Sequence, residues 1–159
     1  MKRIQISIGD VFLVKISKTK VKFFQFIAKD SALMGGEVVR VFKAKYSIKE
    51  IPELEEIISD EVEFHTHTFI KLGVKSGYWE KFDNSSNVGK QNITFRTASD
   101  DEPVKVSSNW YIWKLGEEER IKIGRMKKKY ENAEYGAIHH PGLVIERIKT
   151  GRNTCLEPK

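Results

Sequence analysis

Sulfur nucleophiles are nearly missing from this chain: the only cysteine is Cys155. One thiol cannot close an internal disulfide, so burial rather than cross-linking must hold the fold, and a reducing compartment is the expected setting. Cys155 falls in residues 152–159, which are expected to fray. Long apolar runs are missing too. No stretch approaches the roughly eighteen apolar residues that a membrane-spanning helix needs. The opening Met1-Lys2-Arg3-Ile4-Gln5-Ile6 has a basic start without the continuous apolar core of a secretory leader, so the expected address is the cytoplasm, with no membrane partner.

The familiar arrangements of catalysis are equally scarce. No serine stands in a Gly-x-Ser-x-Gly elbow, and neither Gly35-Gly36 nor Gly73 to Gly77 has the spacing of a phosphate-cradling loop. Carboxylates are plentiful, but they come in runs such as Glu117-Glu118-Glu119 rather than as isolated pairs in apolar surroundings that could split two pKa values. Neither a catalytic set nor a cofactor is expected.

What is present is strand chemistry. Trp110-Tyr111-Ile112-Trp113-Lys114-Leu115 alternates so that both faces carry bulky residues, the mark of a strand in the middle of a sheet. Ile4, Ile6 and Ile8 alternate with polar residues and predict a first strand ending at Gly9-Asp10. Val11 to Ile16, Val21 to Ala28 and Val38 to Phe42 follow with tight turns between them. Two-residue periodicity returns over Val62 to Lys71, Tyr78 to Phe82 and Asn92 to Arg96, and Arg120 to Gly124 pairs back on the tryptophan strand. Ser47 and Glu50 form a capping-box pattern ahead of Ile51, Leu54, Ile57 and Ile58, which predicts one amphipathic helix. Pro141 to Ile148, with Gly151 just beyond, predicts a closing helix. With 159 residues the expectation is a single α+β domain: a mainly antiparallel, strongly curved sheet or partial barrel with one or two short helices packed on it.

Three groups of residues are candidates for function. His65 and His67, two apart on a strand, emerge on one face about 7 Å apart and offer two nitrogen ligands to a metal. No third ligand stands at a converging spacing, and a solvent-facing strand of alternating histidines and threonines is the preferred reading. His139-His140 precede Pro141 at a helix entrance, where an imidazole can accept a helix N–H. The densest basic cluster is Lys122, Arg125, Lys127, Lys128, Lys129 and Tyr130, within a chain of formal charge +6. A solvated charged face is the commoner explanation of such a run; as a binding surface it suits an acidic protein, or, as the alternative function, a nucleic-acid backbone with the tyrosine stacking a base. Trp79, Trp110 and Trp113 are expected mostly in the core.

Several segments together resemble the immunity protein 26 family of bacterial polymorphic-toxin systems. They are Gly9-Asp10-Val11-Phe12-Leu13-Val14, Gly77-Tyr78-Trp79-Glu80-Lys81-Phe82, and a longer run from Trp110-Tyr111-Ile112-Trp113 through Ile123-Gly124 and Ala133-Glu134-Tyr135-Gly136 to Pro141, Arg147-Ile148 and Thr150-Gly151. The resemblance implies a non-enzymatic, cytoplasmic antidote that binds a cognate toxin protein and blocks it, as in contact-dependent inhibition. It carries over no catalytic or cofactor residues. The recurring glycines, tryptophans and prolines are structural in that family, and Arg147 is implied in a buried hydrogen-bonded pairing. Inhibitors of nucleic-acid-cutting toxins are often acidic, whereas this chain is basic, so the resemblance points to an acidic toxin surface or to occlusion away from the nuclease cleft.

Overall fold

The computed structural model describes residues 3–153 and 157–159, so Cys155 lies outside the described residues. In chain order the elements are β1 (Asp10–Lys15), β2 (Lys20–Asp30), β3 (Gly36–Phe42), β4 (Tyr46–Ser47), α1 (Leu54–Ile58), β5 (Val62–Thr68), α2 (Ile70–Lys75), β6 (Glu80–Asn84), β7 (Thr94–Ala98), β8 (Trp110–Lys114), β9 (Ile121–Gly124), β10 (Glu134–Tyr135), β11 (Ile138–His139) and α3 (Pro141–Thr150). Short 3-10 turns lie at Ser31–Leu33 and Lys128–Tyr130.

Seven strands form one sheet in the order β11-β5-β3-β2-β1-β6, with β4 added on β2, and four form a second in the order β10-β7-β8-β9. Alternation along the strands divides the large sheet's residues between two faces. Phe12, Val14, Phe24, Phe26, Val39, Val41 and Phe64 pack with Ile70 of α2, Trp79, and Val144, Ile145 and Ile148 of α3. Val11, Leu13, Phe23 and Phe42 pack instead with Ile57 and Ile58 of α1. Further along, Ile27 and Val38 meet Ile93, Phe95 and Trp113, which belong to the small sheet and its approach. The large sheet is therefore covered by two helices on one side, and by α1 and the small sheet on the other.

The α+β class holds, but the expected strong curvature or partial barrel does not. Both sheets remain open, and two pairings are parallel, β10 with β7 and β11 with β5. The reason lies in residues 134–139. This segment adds two residues to the small sheet and then two to the large one, so a strap joins two open sheets where one rolled sheet was expected. Gly136 makes the crossing possible: a Cβ there would come 2.2 Å from the Trp113 ring.

Three other expectations are corrected. Ile4 to Ile8 joins no ladder, because the chain turns at Gly9, whose φ is +102°. The Ser7 N–H is taken by the Asp10 carboxylate at 2.8 Å and the Gly9 N–H by the Phe26 carbonyl at 2.7 Å. The first helix starts at Leu54 rather than near Ser47 or Ile51. Ser47 is occupied in β4, and its hydroxyl accepts the Lys49 N–H, which caps a turn instead. Of residues 152–159, the last three return to the body: Ser107 donates to the Lys159 carbonyl and Lys159 to the Lys105 carbonyl, both at 2.8 Å.

The tryptophan strand lies where its two-faced pattern places it, second from the edge as β8, with Trp110, Ile112 and Trp113 all buried. The β8–β9 hairpin also forms, pairing Ile112 with Ile121.

Candidate functional site

His65 and His67 sit on β5, but their surroundings separate them. His67 is fully buried, and its Nε2 donates to Asp30 Oδ2 at 2.8 Å, since an ionised carboxylate can only accept. Trp113 Nε1 donates to the same oxygen at 2.8 Å, and the Ala32 N–H to Oδ1 at 3.2 Å. Asp30 ends β2 and Trp113 lies on β8, so these contacts latch the two sheets together. Burial drives the Asp30 carboxyl toward its neutral form, yet the hydrogen bonds from His67 and Trp113, the attraction of the imidazole and the Ala32 amide together hold it below the usual carboxylate range. The Phe95 ring lies 4.5 Å from the imidazole, centre to centre, and His67 Nδ1 is buried without a hydrogen-bond partner among the described residues.

His65 belongs to a different network. It pairs in register with Arg40 of β3, which in turn pairs with Gln25 of β2. Gln25 Oε1 accepts from Arg40 Nε at 2.9 Å, and Gln25 Nε2 donates to the Gly9 and Ser85 carbonyls, both at 3.1 Å. Arg40 Nη2 reaches the Asn87 carbonyl at 3.1 Å. This polar row pins the 85–89 loop onto the sheet. Burial, then the charge of Arg40, pushes the His65 imidazole down to about 4, so it is neutral at physiological pH.

His139 is depressed by burial, then by His67 and Arg147, against a raising contribution from the Tyr135 backbone. His140 caps α3, its Nδ1 accepting the Gly142 N–H at 3.0 Å. Among the described residues no group of three or more His, Cys, Asp or Glu side chains is placed to hold a metal ion. A cavity of about 820 Å³ lies between residues 98–106 and 157–159; Asp100, Asp101 and Glu102 line it, and no histidine does.

All three tryptophans are buried, Trp79 at 3% exposure and Trp110 and Trp113 at 0%. Arg147 donates to both carboxylate oxygens of Glu134 at 3.2 Å and lies 3.8 Å above the centre of the Phe64 ring. That contact fastens α3 to the β10 end of the strap.

The basic cluster is brought together on the outside. Among the described residues β9 is an edge of the small sheet, paired only with β8. Lys122 projects from it, and Arg125, Lys127, Lys128 and Lys129 follow in the turn beyond; all five are exposed. None makes an ion pair among the described residues. Tyr130 is half-buried with the Lys129 ammonium 4.9 Å from its ring centre. Ile121, 56% exposed, adds an apolar contact to the same edge. The strip thus offers unpaired strand amides and carbonyls, five uncompensated cations and one aliphatic side chain, on a body made rigid by the latch and strap. Its basic content was legible in the sequence. Its position on an open edge was not, because nothing local says that a tenth strand will cap β7 rather than β9.

No helix among the described residues is long and apolar enough to cross a membrane. Compared with protein-family models, curated proteins and solved structures, the chain matches none.

Proposed function

We propose that this chain is a non-enzymatic immunity protein that binds and neutralises a cognate bacterial toxin domain in the cytoplasm. The observation that carries the reading is the run of five exposed cations along the open edge β9 and the turn after it, none in an ion pair among the described residues. Uncompensated like charges on a rigid edge are unfavourable for the isolated protein, and an acidic partner surface relieves them while steering its own approach. The resemblance in the order and spacing of the glycine, tryptophan and proline segments supplies the class of partner. The histidines fit this reading, since His67 is consumed by the latch and His65 is neutral beside Arg40.

The test is growth rescue and co-purification with the toxin encoded by the neighbouring gene. Rescue together with a stoichiometric complex is expected; absence of both removes the proposal.

The alternative reading, a nucleic-acid-binding module, uses the same cations with Tyr130 as a stacking surface. It predicts retention of RNA or DNA that weakens steeply with salt and with Lys127→Glu. The Lys129 ammonium over the tyrosine ring already occupies the partner that a base would need, which favours the protein partner.

A further inference from the structure

On the large sheet, away from β9, a second surface combines apolar floor and positive rim. Ile6, Phe26, Phe69 and Leu72 form the floor of a groove of about 610 Å³, with Lys29, Lys71 and Lys75 around it. Phe69 is 50% and Leu72 39% exposed, although both are large apolar side chains beside α2. The three lysines are exposed and make no ion pair among the described residues. Glu37, the one acid in the lining, is already committed: its Oε1 accepts the Ile70 N–H at 3.0 Å. The groove therefore sets three lysines against a single carboxylate, a net positive excess around exposed hydrocarbon.

We infer that this groove docks an acidic amphipathic segment of a partner protein, one that places a leucine or aromatic side chain on the Phe69–Leu72 floor and carboxylates against Lys29, Lys71 and Lys75. The inference goes beyond the proposed function, since it concerns different elements and a different contact from the β9 strip. Shape and chemistry select the occupant. The volume falls in the range of ligand-sized sites, about 300–1,000 Å³, which takes a few side chains. A flat bilayer cannot fill a concavity, because membrane-seated faces project their apolar side chains outward. Single-stranded nucleic acid needs successive aromatic platforms, and here two of the four floor residues are aliphatic. A segment with apolar residues three or four apart and acids between them satisfies floor and rim together.

The experiment uses the full chain and a labelled synthetic peptide with leucine and phenylalanine four residues apart among glutamates, read by fluorescence anisotropy. Saturable binding is expected, weakened about tenfold by Lys71→Glu with Lys75→Glu, and to a similar extent by Leu72→Ser. These positions are exposed, and far-ultraviolet circular dichroism and thermal melts verify that each variant folds. Reversing Lys127, Lys128 and Lys129 to glutamate weakens peptide binding far less than the groove variants do, so failure of the toxin reading and failure of this one are distinguishable. The inference is overturned by absence of binding, by equal binding of a peptide with lysines in place of the glutamates, or by affinity indifferent to the groove variants. Tighter binding to anionic phospholipid vesicles or to single-stranded DNA than to the peptide overturns it as well.

Discussion

Depressed imidazoles and a depressed carboxyl inside this molecule make its stability depend on pH over two separate ranges. The His65 imidazole is held down to about 4 by burial and by Arg40, whereas in the unfolded chain it returns to about 6.5. Below 6.5 the unfolded state therefore binds more protons, and stability is full above that value and declines as pH falls toward 4. Within the window the slope approaches about 1.4 kcal/mol per pH unit. Asp30 has the same sign at a lower range: its carboxyl is depressed, so its contribution is complete above the ordinary carboxylate range and disappears as pH drops below it. Denaturant melts from pH 7.5 to 3 are expected to show a two-part acid decline in the native chain. His65→Gln reduces the slope between 6.5 and 4, leaving the share that the depressed His139 contributes just below 6.5, and leaves the lower part. Asp30→Asn lowers neutral stability by about 3 kcal/mol, because two side-chain N–H donors lose a charged acceptor, and it flattens the lower part. A native profile without slope between 6.5 and 4 would contradict the His65 environment.

At the level of elements, α2 is held against the core by contact between a glycine and a ring. A Cβ on Gly73 would come 2.0 Å from Trp79 Cζ2, and the Trp79 indole N–H donates to the Ile70 carbonyl of the same helix at 3.0 Å. Helix propensity alone makes Gly73→Ala stabilising by about 1 kcal/mol. The contact wins, because a buried indole stacked on the helix backbone cannot retreat without opening the Phe24–Trp79 edge contact at 4.9 Å. Gly73→Ala is expected to destabilise by about 1–3 kcal/mol in chemical denaturation, and an unchanged or raised midpoint would show that the ring gives way freely. The same helix explains one limit of sequence reading. Thr68-Phe69-Ile70-Lys71 continues the composition of β5, and six residues with a central glycine give too short a helical period to interrupt it. Strands β4, β10 and β11 are two residues each, below any pattern, and exist because long-range pairing recruits them. The long strands and α3, with Pro141 in its first turn and Gly151 in the left-handed conformation at its end, were legible because each carries its own period and punctuation.

For the molecule as a whole, the sequence disclosed which residues bear charge but not which pair across the fold. The partners of Asp30 in the latch lie 37 and 83 positions away, so His67 offered the sequence only two histidines among threonines. The basic cluster was visible because its members are adjacent in the chain, and after folding it makes no ion pair among the described residues. That distinction fixes how association should respond to charge. On the proposed immunity reading, Lys127, Lys128 and Lys129, being exposed, would act chiefly by attracting the partner before contact rather than by desolvated pairing within it. Reversing all three to glutamate removes the whole formal excess of +6. In surface plasmon resonance with the toxin domain that the proposed function requires, the association rate is expected to fall by about tenfold or more at low salt, while the dissociation rate changes little. The difference between native and reversed chains should shrink as ionic strength rises and the Debye length shortens to about 3 Å at 1 M. A loss concentrated in the dissociation rate and insensitive to salt would mean that these lysines are buried at the centre of the contact, and that the open edge β9 is the middle of the interface rather than its approach.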